Sequence, residues 1–139
     1  MSQENLRVIE HAIAAVNERD IDGYLACCTE DIVLRTPWAE VGGAYEGPDA
    51  IRRFFADMED AAPNFQLHLE RLDLIGTDRA LAFLHTTGSG RVSGVPINTR
   101  TANVYDFVAG KIKRVHIFSD RQEALEAVGL SEQDAHPDS

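Results

Sequence analysis

Residues 97–119 read INTRTANVYDFVAGKIKRVHIFS and carry the clearest secondary-structure signal in the chain. Their apolar and β-branched residues predict two strands, from Ile97 to Val108 and from Lys111 to Ser119. The two residues between them, Ala109-Gly110, are the right length for a tight hairpin. This stretch therefore predicts an antiparallel sheet in the second half of the chain.

Upstream of this hairpin, the sequence predicts further strands. Residues 65–74 alternate between apolar and polar side chains, and the apolar parity shifts near Arg71, as a β-bulge would cause. Residues 80–87, ALAFLHTT, are almost continuously apolar, which is typical of a strand covered on both faces. A further strand is expected from Ile32 to Thr36.

Helical patterns flank these strands. Ser2 can cap a first helix, and Asp20 or Asp22 can cap a short second one. Pro48 fits the first position of a third helix that ends near Pro63. Ser119-Asp120-Arg121-Gln122 fits a capping box before a last helix, which stops at Gly129. Helices followed by consecutive antiparallel strands predict an α+β fold with helices on one face of the sheet, where a concave sheet leaves a hollow suited to small ligands.

Charge argues against two classes of partner. The 139 residues include 13 basic and 23 acidic residues, which gives a net charge of −10. A negative potential of this size repels phosphate backbones and anionic lipids. No apolar run is long enough to span a bilayer, and the N-terminus lacks the features of a signal peptide. We therefore expect no nucleic acid partner, no membrane association and a cytoplasmic location.

Metal and cofactor binding are not expected either. The five histidines form no H-x-H or HExxH array, and the two cysteines are the adjacent pair Cys27 and Cys28. The glycine-rich stretch GSGRVSG at residues 88–94 lies between predicted strands, so it does not open a helix as a phosphate-binding loop does. The sequence predicts no nucleotide, no metal and no other cofactor.

Three segments carry a family resemblance. AAVNERDIDGYLACCTEDIVLRTPWAE at 14–40, YEGPDAIRRFFADM at 45–58 and VYDFVAGKIKRVHIFSDRQEALEAVGL at 104–130 together resemble SnoaL-like proteins of the nuclear transport factor 2-like superfamily. This group is related to polyketide cyclases, ketosteroid isomerases and limonene-epoxide hydrolases. The resemblance covers roughly residues 3–130, and we expect one domain over residues 1–130. The polar and acidic residues 131–139 are expected to form a flexible tail.

The same resemblance implies a conical α+β barrel, in which a curved, mostly antiparallel sheet wraps around N-terminal helices and encloses an interior pocket. It also implies a homodimer formed through the outer face of the sheet. Matching the family motifs places Thr36, Ala12 and Ala102 where ketosteroid isomerases have their catalytic groups, and Ile117 where cyclases and epoxide hydrolases have an aspartate. None of these four side chains can act as an acid or base at neutral pH, so those chemistries are not expected intact.

Strand alternation predicts which residues face the hollow. If Phe83 points inward, so do His85 and Thr87 on the same strand. The family matching puts the following residues inward on the next two strands: Arg100, Ala102 and Val104, and then Val115, Ile117 and Ser119. His85 is then a candidate general acid or base, and Arg100 a candidate clamp for an anionic ligand. A buried histidine satisfied by one hydrogen bond, and an arginine paired with Asp106 or Glu40, are the structural alternatives. The full set of predicted ligand contacts is Thr36, Trp38, Phe54, Phe55, Phe83, Thr87, Val104, Val115 and Ile117.

Two functional hypotheses follow. The first is a small-molecule pocket protein that acts on or binds an apolar cyclic or polyketide-like compound, with a cyclase- or isomerase-like activity using His85 and Arg100. The second is a non-catalytic module that binds a ligand or dimerises. Its working surface would be the outer sheet face, to which alternation assigns Thr101, Asn103, Tyr105, His116 and Phe118.

Overall fold

The computed structural model describes residues 2–37 and 44–129. Within them the helices are α1 (Ser2–Asn17), α2 (Ile21–Ala26), α3 (Pro48–Ala61) and α4 (Arg121–Ala127). The strands are β1 (Cys28–Arg35), β2 (Ala44–Glu46), β3 (Gln66–Ile75), β4 (Arg79–Ser89), β5 (Pro96–Val108) and β6 (Lys111–Phe118). The predicted α+β class is confirmed. Strand β2 was not predicted, and Trp38 and the tail at 131–139 lie outside the described residues.

All six strands form one curved sheet with the order β2-β1-β6-β5-β4-β3. Its neighbouring strands are antiparallel except β1 and β6, which run parallel, so the predicted mostly antiparallel sheet is confirmed. The sheet does not close on itself, because β2 and β3 remain at its two edges. Helices α1, α2 and α3 pack on the concave face, which we call the inner face.

Local signals explain where the helices begin. Asp20 caps α2, since its carboxylate accepts a hydrogen bond of 2.9 Å from the Gly23 N–H, which decides between the two caps that the sequence allowed. Pro48 opens α3 as predicted. For α4 the predicted cap, Ser119, is wrong. The cap is Asp120, whose carboxylate accepts a 2.8 Å hydrogen bond from the Gln122 N–H. None of the helices in the described part of the chain is long and apolar enough to cross a membrane.

The apolar core has two parts, one on each side of the sheet. The larger part fills the space between α1, α2, α3 and the inner face. The smaller part lies on the outer face, where α4 covers Leu81, Phe83, Ala102 and Val104 with Ala124 and Leu125. Residues 80–84 of β4 are all buried, so the predicted two-sided burial of this strand is confirmed.

Register shifts in β3 and β6 set the directions of side chains around the sheet, and a further shift lies in β1 between Cys28 and Val33. The predicted bulge in β3 is confirmed by a shift between Leu69 and Arg71. A second shift, not predicted, separates the pair Phe107–Ile112 from the pair Asp106–Arg114, so β6 contains one extra residue. Beyond this point Tyr105 pairs with Val115 and Asn103 pairs with Ile117. A slip of one residue moves every following side chain to the other face of its strand.

A side chain of α1 occupies part of the free edge of β3. The Asn17 side-chain amide donates a 2.9 Å hydrogen bond to the Leu67 carbonyl, and its oxygen accepts a 2.7 Å hydrogen bond from the Leu67 N–H. The amide therefore pairs with Leu67 in both directions, as the backbone of a neighbouring strand would. This contact fixes the end of α1 against the sheet.

Candidate functional site

A cavity of about 180 Å³ lies between the first three helices and the inner face of the sheet. Its helix side is formed by Ile13, Val16, Tyr24, Phe54, Phe55 and Met58. Its sheet side is formed by Leu34, Leu67, Leu84, Thr86, Thr99, Thr101, Asn103, Tyr105, Val115 and Ile117. The cavity is thus apolar toward the helices and partly polar toward β4 and β5.

Aromatic rings build the helix side. Phe55 contacts Phe54 and Tyr24 edge to face, with ring centroids 5.0 Å apart in both pairs. Tyr45 of β2 lies 5.2 Å from Phe54, centroid to centroid. Edge-to-face pairs of this kind hold each ring in a defined orientation. The cavity therefore offers a rigid aromatic wall to an occupant.

Polar groups form a strip along β4 and β5. Thr86 and Thr99 lie directly opposite each other, and Thr101 and Asn103 follow on the same face of β5. Asn103 is only 6% exposed, and its amide nitrogen donates a 3.4 Å hydrogen bond to the Tyr105 hydroxyl. Its oxygen has no hydrogen-bond partner among the described residues. A buried acceptor without a partner is costly, so a donor that reaches this oxygen from the cavity would be stabilising.

The two phenols at the cavity are neutral groups. Burial raises the pKa of Tyr24 well above its ordinary value, with smaller contributions from Cys28, Tyr105 and Cys27. Burial also raises the pKa of Tyr105 to about 12, although the hydrogen bond with Asn103 opposes this shift. Both hydroxyls therefore act as hydrogen-bonding groups at neutral pH and not as bases.

The described lining contains no Asp, Glu, His, Lys or Arg. Elsewhere in residues 2–37 and 44–129, no group of three or more His, Cys, Asp or Glu side chains is arranged to hold a metal ion. The chemistry available from the described lining is thus hydrogen bonding and apolar contact.

Four of the predicted ligand contacts line this cavity: Phe54, Phe55, Val115 and Ile117. Thr36 is 8% exposed at the end of β1 and is not among the lining residues. Whether any of these residues contacts a ligand stays a prediction.

The predicted inward direction of five other candidate site residues is wrong. Phe83 and Val104 lie on the outer face and pack against α4. The hydroxyl of Thr87 lies 3.0 Å from Nε2 of the exposed His68, on the same outer face. Strand β5 alternates without a break from Phe107 in the inner core, which places Tyr105, Asn103 and Thr101 on the inner face. The extra residue in β6 brings Val115 and Ile117 to this same face, so an inward Val115 does not imply an inward Val104.

His85 and Arg100 are also outside the cavity. They lie directly opposite each other on β4 and β5, as the sequence predicted for adjacent strands, but on the outer face. His85 Nε2 is hydrogen-bonded to the Asn98 side-chain oxygen. Arg100 pairs with Glu70 at 3.3 Å, while the alternative partner Asp106 pairs with Arg79 at 2.7 Å. The catalytic roles of His85 and Arg100 stay predictions, without the cavity position that motivated them.

Sequence reasoning missed the polar strip. Strand β5 carries polar residues on both faces, so alternation alone cannot decide which set points inward. Family matching selected Ala102, whereas the structure places the neighbouring Asn103 at the cavity. The signal that decides the direction is the register through the β5–β6 hairpin, and it requires knowing where the bulge lies.

Comparison with known proteins places this fold in a recognised class. The sequence model of the SnoaL-like domain family matches residues 9–115. The chain therefore belongs to the SnoaL-like domain family. Comparison with curated proteins finds no match.

Solved structures share the fold over most of their length. An uncharacterized cystatin fold protein from Novosphingobium aromaticivorans is 27% identical, with a TM-score of 0.70 over 85% of this chain and 98% of its own. TerC, co-crystallized with polyporic acid, is 21% identical, with a TM-score of 0.74 over 90% of this chain and 98% of its own. RV0760c from Mycobacterium tuberculosis, in complex with estradiol-17beta-hemisuccinate, is 19% identical, with a TM-score of 0.73 over 85% of this chain and 95% of its own.

Proposed function

We propose that this protein binds a largely apolar, ring-containing small molecule in the cavity between helices α1 to α3 and the inner sheet face. The observation that carries the proposal is the aromatic wall formed by Tyr24, Phe54 and Phe55 opposite the polar strip of β4 and β5. Ligand sites are typically apolar hollows with a few placed polar groups, which is the composition of this lining.

The size of the cavity is compatible with such a ligand. An engineered apolar cavity of about 150 Å³ is enough to hold benzene. The volume here is about 180 Å³, which accommodates one ring or a small fused pair. Two structural relatives were solved with small-molecule ligands, polyporic acid and estradiol-17beta-hemisuccinate, which supports a ligand-binding role for this fold.

Binding, and not proton transfer, is the activity that the described lining supports. Cyclase- or isomerase-like chemistry needs an acid or base whose pKa lies near the working pH. The described cavity side chains include no carboxylate and no imidazole, and the pKa of Tyr105 is raised to about 12. We therefore propose a ligand-binding protein in preference to an enzyme of those classes.

A ring-shaped probe and one pair of variants test this proposal. An apolar probe such as 2-methoxynaphthalene should raise the melting temperature by about 5 °C or more at 100 times its Kd. Thr99→Trp places a large side chain in the cavity and should weaken binding at least tenfold. Asn98→Trp, on the opposite face of the same strand, is the matched control and should bind the probe as the wild type does. Equal binding by Thr99→Trp and the wild type would contradict the cavity as the site.

We also propose the homodimer through the outer sheet face. Beside the cluster covered by α4, against which Phe118 packs, this face carries the stacked rings of His116 and Phe118, which lie 4.0 Å apart, centroid to centroid. Both side chains are half-buried in the single chain and remain available for a partner. Sedimentation should show a dimer that Phe118→Glu converts to monomer, while Lys113→Glu on the same strand does not. A wild type that sediments as a monomer would rule the dimer out.

A further inference from the structure

We infer that the cavity selects neutral ligands that carry a hydrogen-bond donor, with a hydroxyl as the simplest case, over anionic ligands of the same shape. This inference rests on the proposed ligand-binding function and adds the chemical class of the ligand. It follows from two features of the lining: the absence of positive charge and the unpaired oxygen of Asn103.

The charge distribution disfavours an anion. The described lining residues carry no positive charge, and the whole chain carries a net charge of −10. A carboxylate entering the cavity would lose its hydration without gaining a counter-ion, and the field of the protein would repel it as it approached. The cavity should therefore reject ionised ligands.

Arg100, which the sequence suggested as a clamp for an anionic ligand, does not face the cavity. Arg100 lies on the outer face, where its Nε and Nη2 atoms are 3.3 and 3.4 Å from the two carboxylate oxygens of Glu70. Its guanidinium is therefore separated from the cavity by the sheet itself. A ligand in the cavity gains nothing from this charge at contact distance.

Asn103 supplies the preference for a donor. Its amide nitrogen already donates to the Tyr105 hydroxyl, so the oxygen is the part of the amide left without a partner in the described structure. This oxygen can only accept a hydrogen bond, whereas the hydroxyls of Thr86, Thr99 and Thr101 can donate or accept. An O–H or N–H of the ligand would donate a hydrogen bond to this oxygen, which, unlike the hydroxyls, cannot act as a donor itself.

Three naphthalenes of the same skeleton separate these effects. The probes are 2-naphthol, which is neutral and has a donor, 2-methoxynaphthalene, which is neutral without one, and 2-naphthoate, which is an anion at pH 7. Calorimetry should show 2-naphthol binding about tenfold more tightly than the ether and about 100-fold more tightly than the carboxylate. Equal affinities for the alcohol and the ether, or a carboxylate that binds as tightly as the alcohol, would overturn the inference.

Variants at two cavity positions test whether the preference is located at Asn103. Asn103→Leu should bring the affinity for 2-naphthol down to that for the ether and leave the ether unchanged. Thr101→Val, the neighbouring cavity residue on the same strand, should change the affinities for the alcohol and the ether by similar factors. If Asn103→Leu does not fold, Asn103→Asp keeps an acceptor at this position and should keep the preference for the alcohol. A variant at Asn103 that retains the full preference without any acceptor would overturn the assignment.

The outcome also separates this inference from the function on which it rests. Binding of all three probes with equal affinity would remove the charge and donor selectivity but leave the apolar ligand site in place. No binding by any of them, in a protein that is folded by circular dichroism, would remove both.

Discussion

The guanidinium of Arg19 lies over the ring of Phe65, with its central carbon 3.9 Å from the ring centroid. The same guanidinium donates hydrogen bonds to the carbonyls of Phe65 at 2.8 Å, Pro63 at 2.9 Å and Val16 at 3.2 Å. Arg19 thereby ties the end of α1 to the segment between α3 and β3. Its own backbone adopts a positive φ of 63°, which a non-glycine residue holds only when its surroundings fix it.

Because of these contacts, we expect even the conservative substitution Arg19→Lys to lower the free energy of unfolding. Arg19→Lys keeps the charge but loses the planar fork that reaches several carbonyls at once. We expect the free energy of unfolding to fall by about 1–3 kcal/mol, measured by urea denaturation. Arg53→Lys, on the exposed face of α3, is the control and should change stability by less than about 0.5 kcal/mol. Similar losses for both variants would show that the carbonyl contacts of Arg19 do not stabilise the fold.

Truncating a buried side chain of helix α4 should lower the stability of the protein without affecting the cavity. Leu125 is fully buried between this helix and the outer sheet face. Leu125→Ala should lower the free energy of unfolding by about 2–4 kcal/mol, because it leaves a space beside Leu81 and Phe83. Glu126→Ala, exposed on the same helix, is the control. Probe affinity at the cavity should stay unchanged in both variants, and a selective loss in Leu125→Ala would show that the two faces are coupled.

His116 predicts a pH dependence of stability. Burial, together with Arg35 and Arg114, lowers its pKa below the ordinary value, and Asp106 only partly opposes this. The folded state therefore binds this proton less readily than the unfolded state does. The contribution of His116 to the free energy of unfolding consequently rises as pH increases toward the unfolded pKa of about 6.5. Urea denaturation at pH values from about 5 to 7 should show a flatter dependence for His116→Gln than for the wild type.

The exposed Gln66, which is not titratable, provides the control for that measurement. Gln66→Asn should leave the slope of stability against pH as it is in the wild type. A steeper slope in His116→Gln, or a wild type in which His116 adds stability as pH falls, would have the wrong sign for a lowered pKa.

We expect the thiol of Cys28, one of the two adjacent cysteines, to react slowly in the folded protein. Burial raises the pKa of Cys28 to about 12, with a further contribution from Cys27 and opposition from Lys111. Since the thiolate is the reactive form, only about one Cys28 thiol in ten thousand is ionised at pH 8. Titration with a disulfide reagent should therefore detect Cys28 only in urea. Fast reaction in buffer that disappears in Cys28→Ser would contradict this prediction.

Much of the fold was predictable from local signals. The hairpin at Ala109-Gly110 has positive φ angles of 52° and 79°, which a tight two-residue turn requires, and its position in the sequence was clear. The alternation around Leu67 and the continuous apolar run of β4 gave the right elements because each reflects burial along a single segment. Strand β2 was missed because three residues carry too little periodicity to separate a strand from a loop.

The candidate site was harder to predict because its composition depends on a register between two strands. Without a bulge, counting back from the hairpin places Val104 opposite Val115. Since Val115 points inward, Val104 and Arg100 would then point inward as well. The extra residue in β6 places His116 opposite Val104 instead. Hydrophobicity could not correct this, because α4 buries Phe83 and Val104 on the outer face. A difference of one residue in the pairing thus changes the predicted lining, which contains Arg100, into the observed one, whose described residues carry no charge.

The bidentate contact between Asn17 and Leu67 also bears on how this protein behaves in a crowded solution. An unprotected edge strand can recruit a strand from another molecule, which is how many sheet proteins begin to aggregate. The Asn17 amide occupies the hydrogen-bonding groups that such a strand would need at this point of β3. Loss of this small amide would therefore favour intermolecular sheet growth from β3 and lower the solubility of the protein at high concentration.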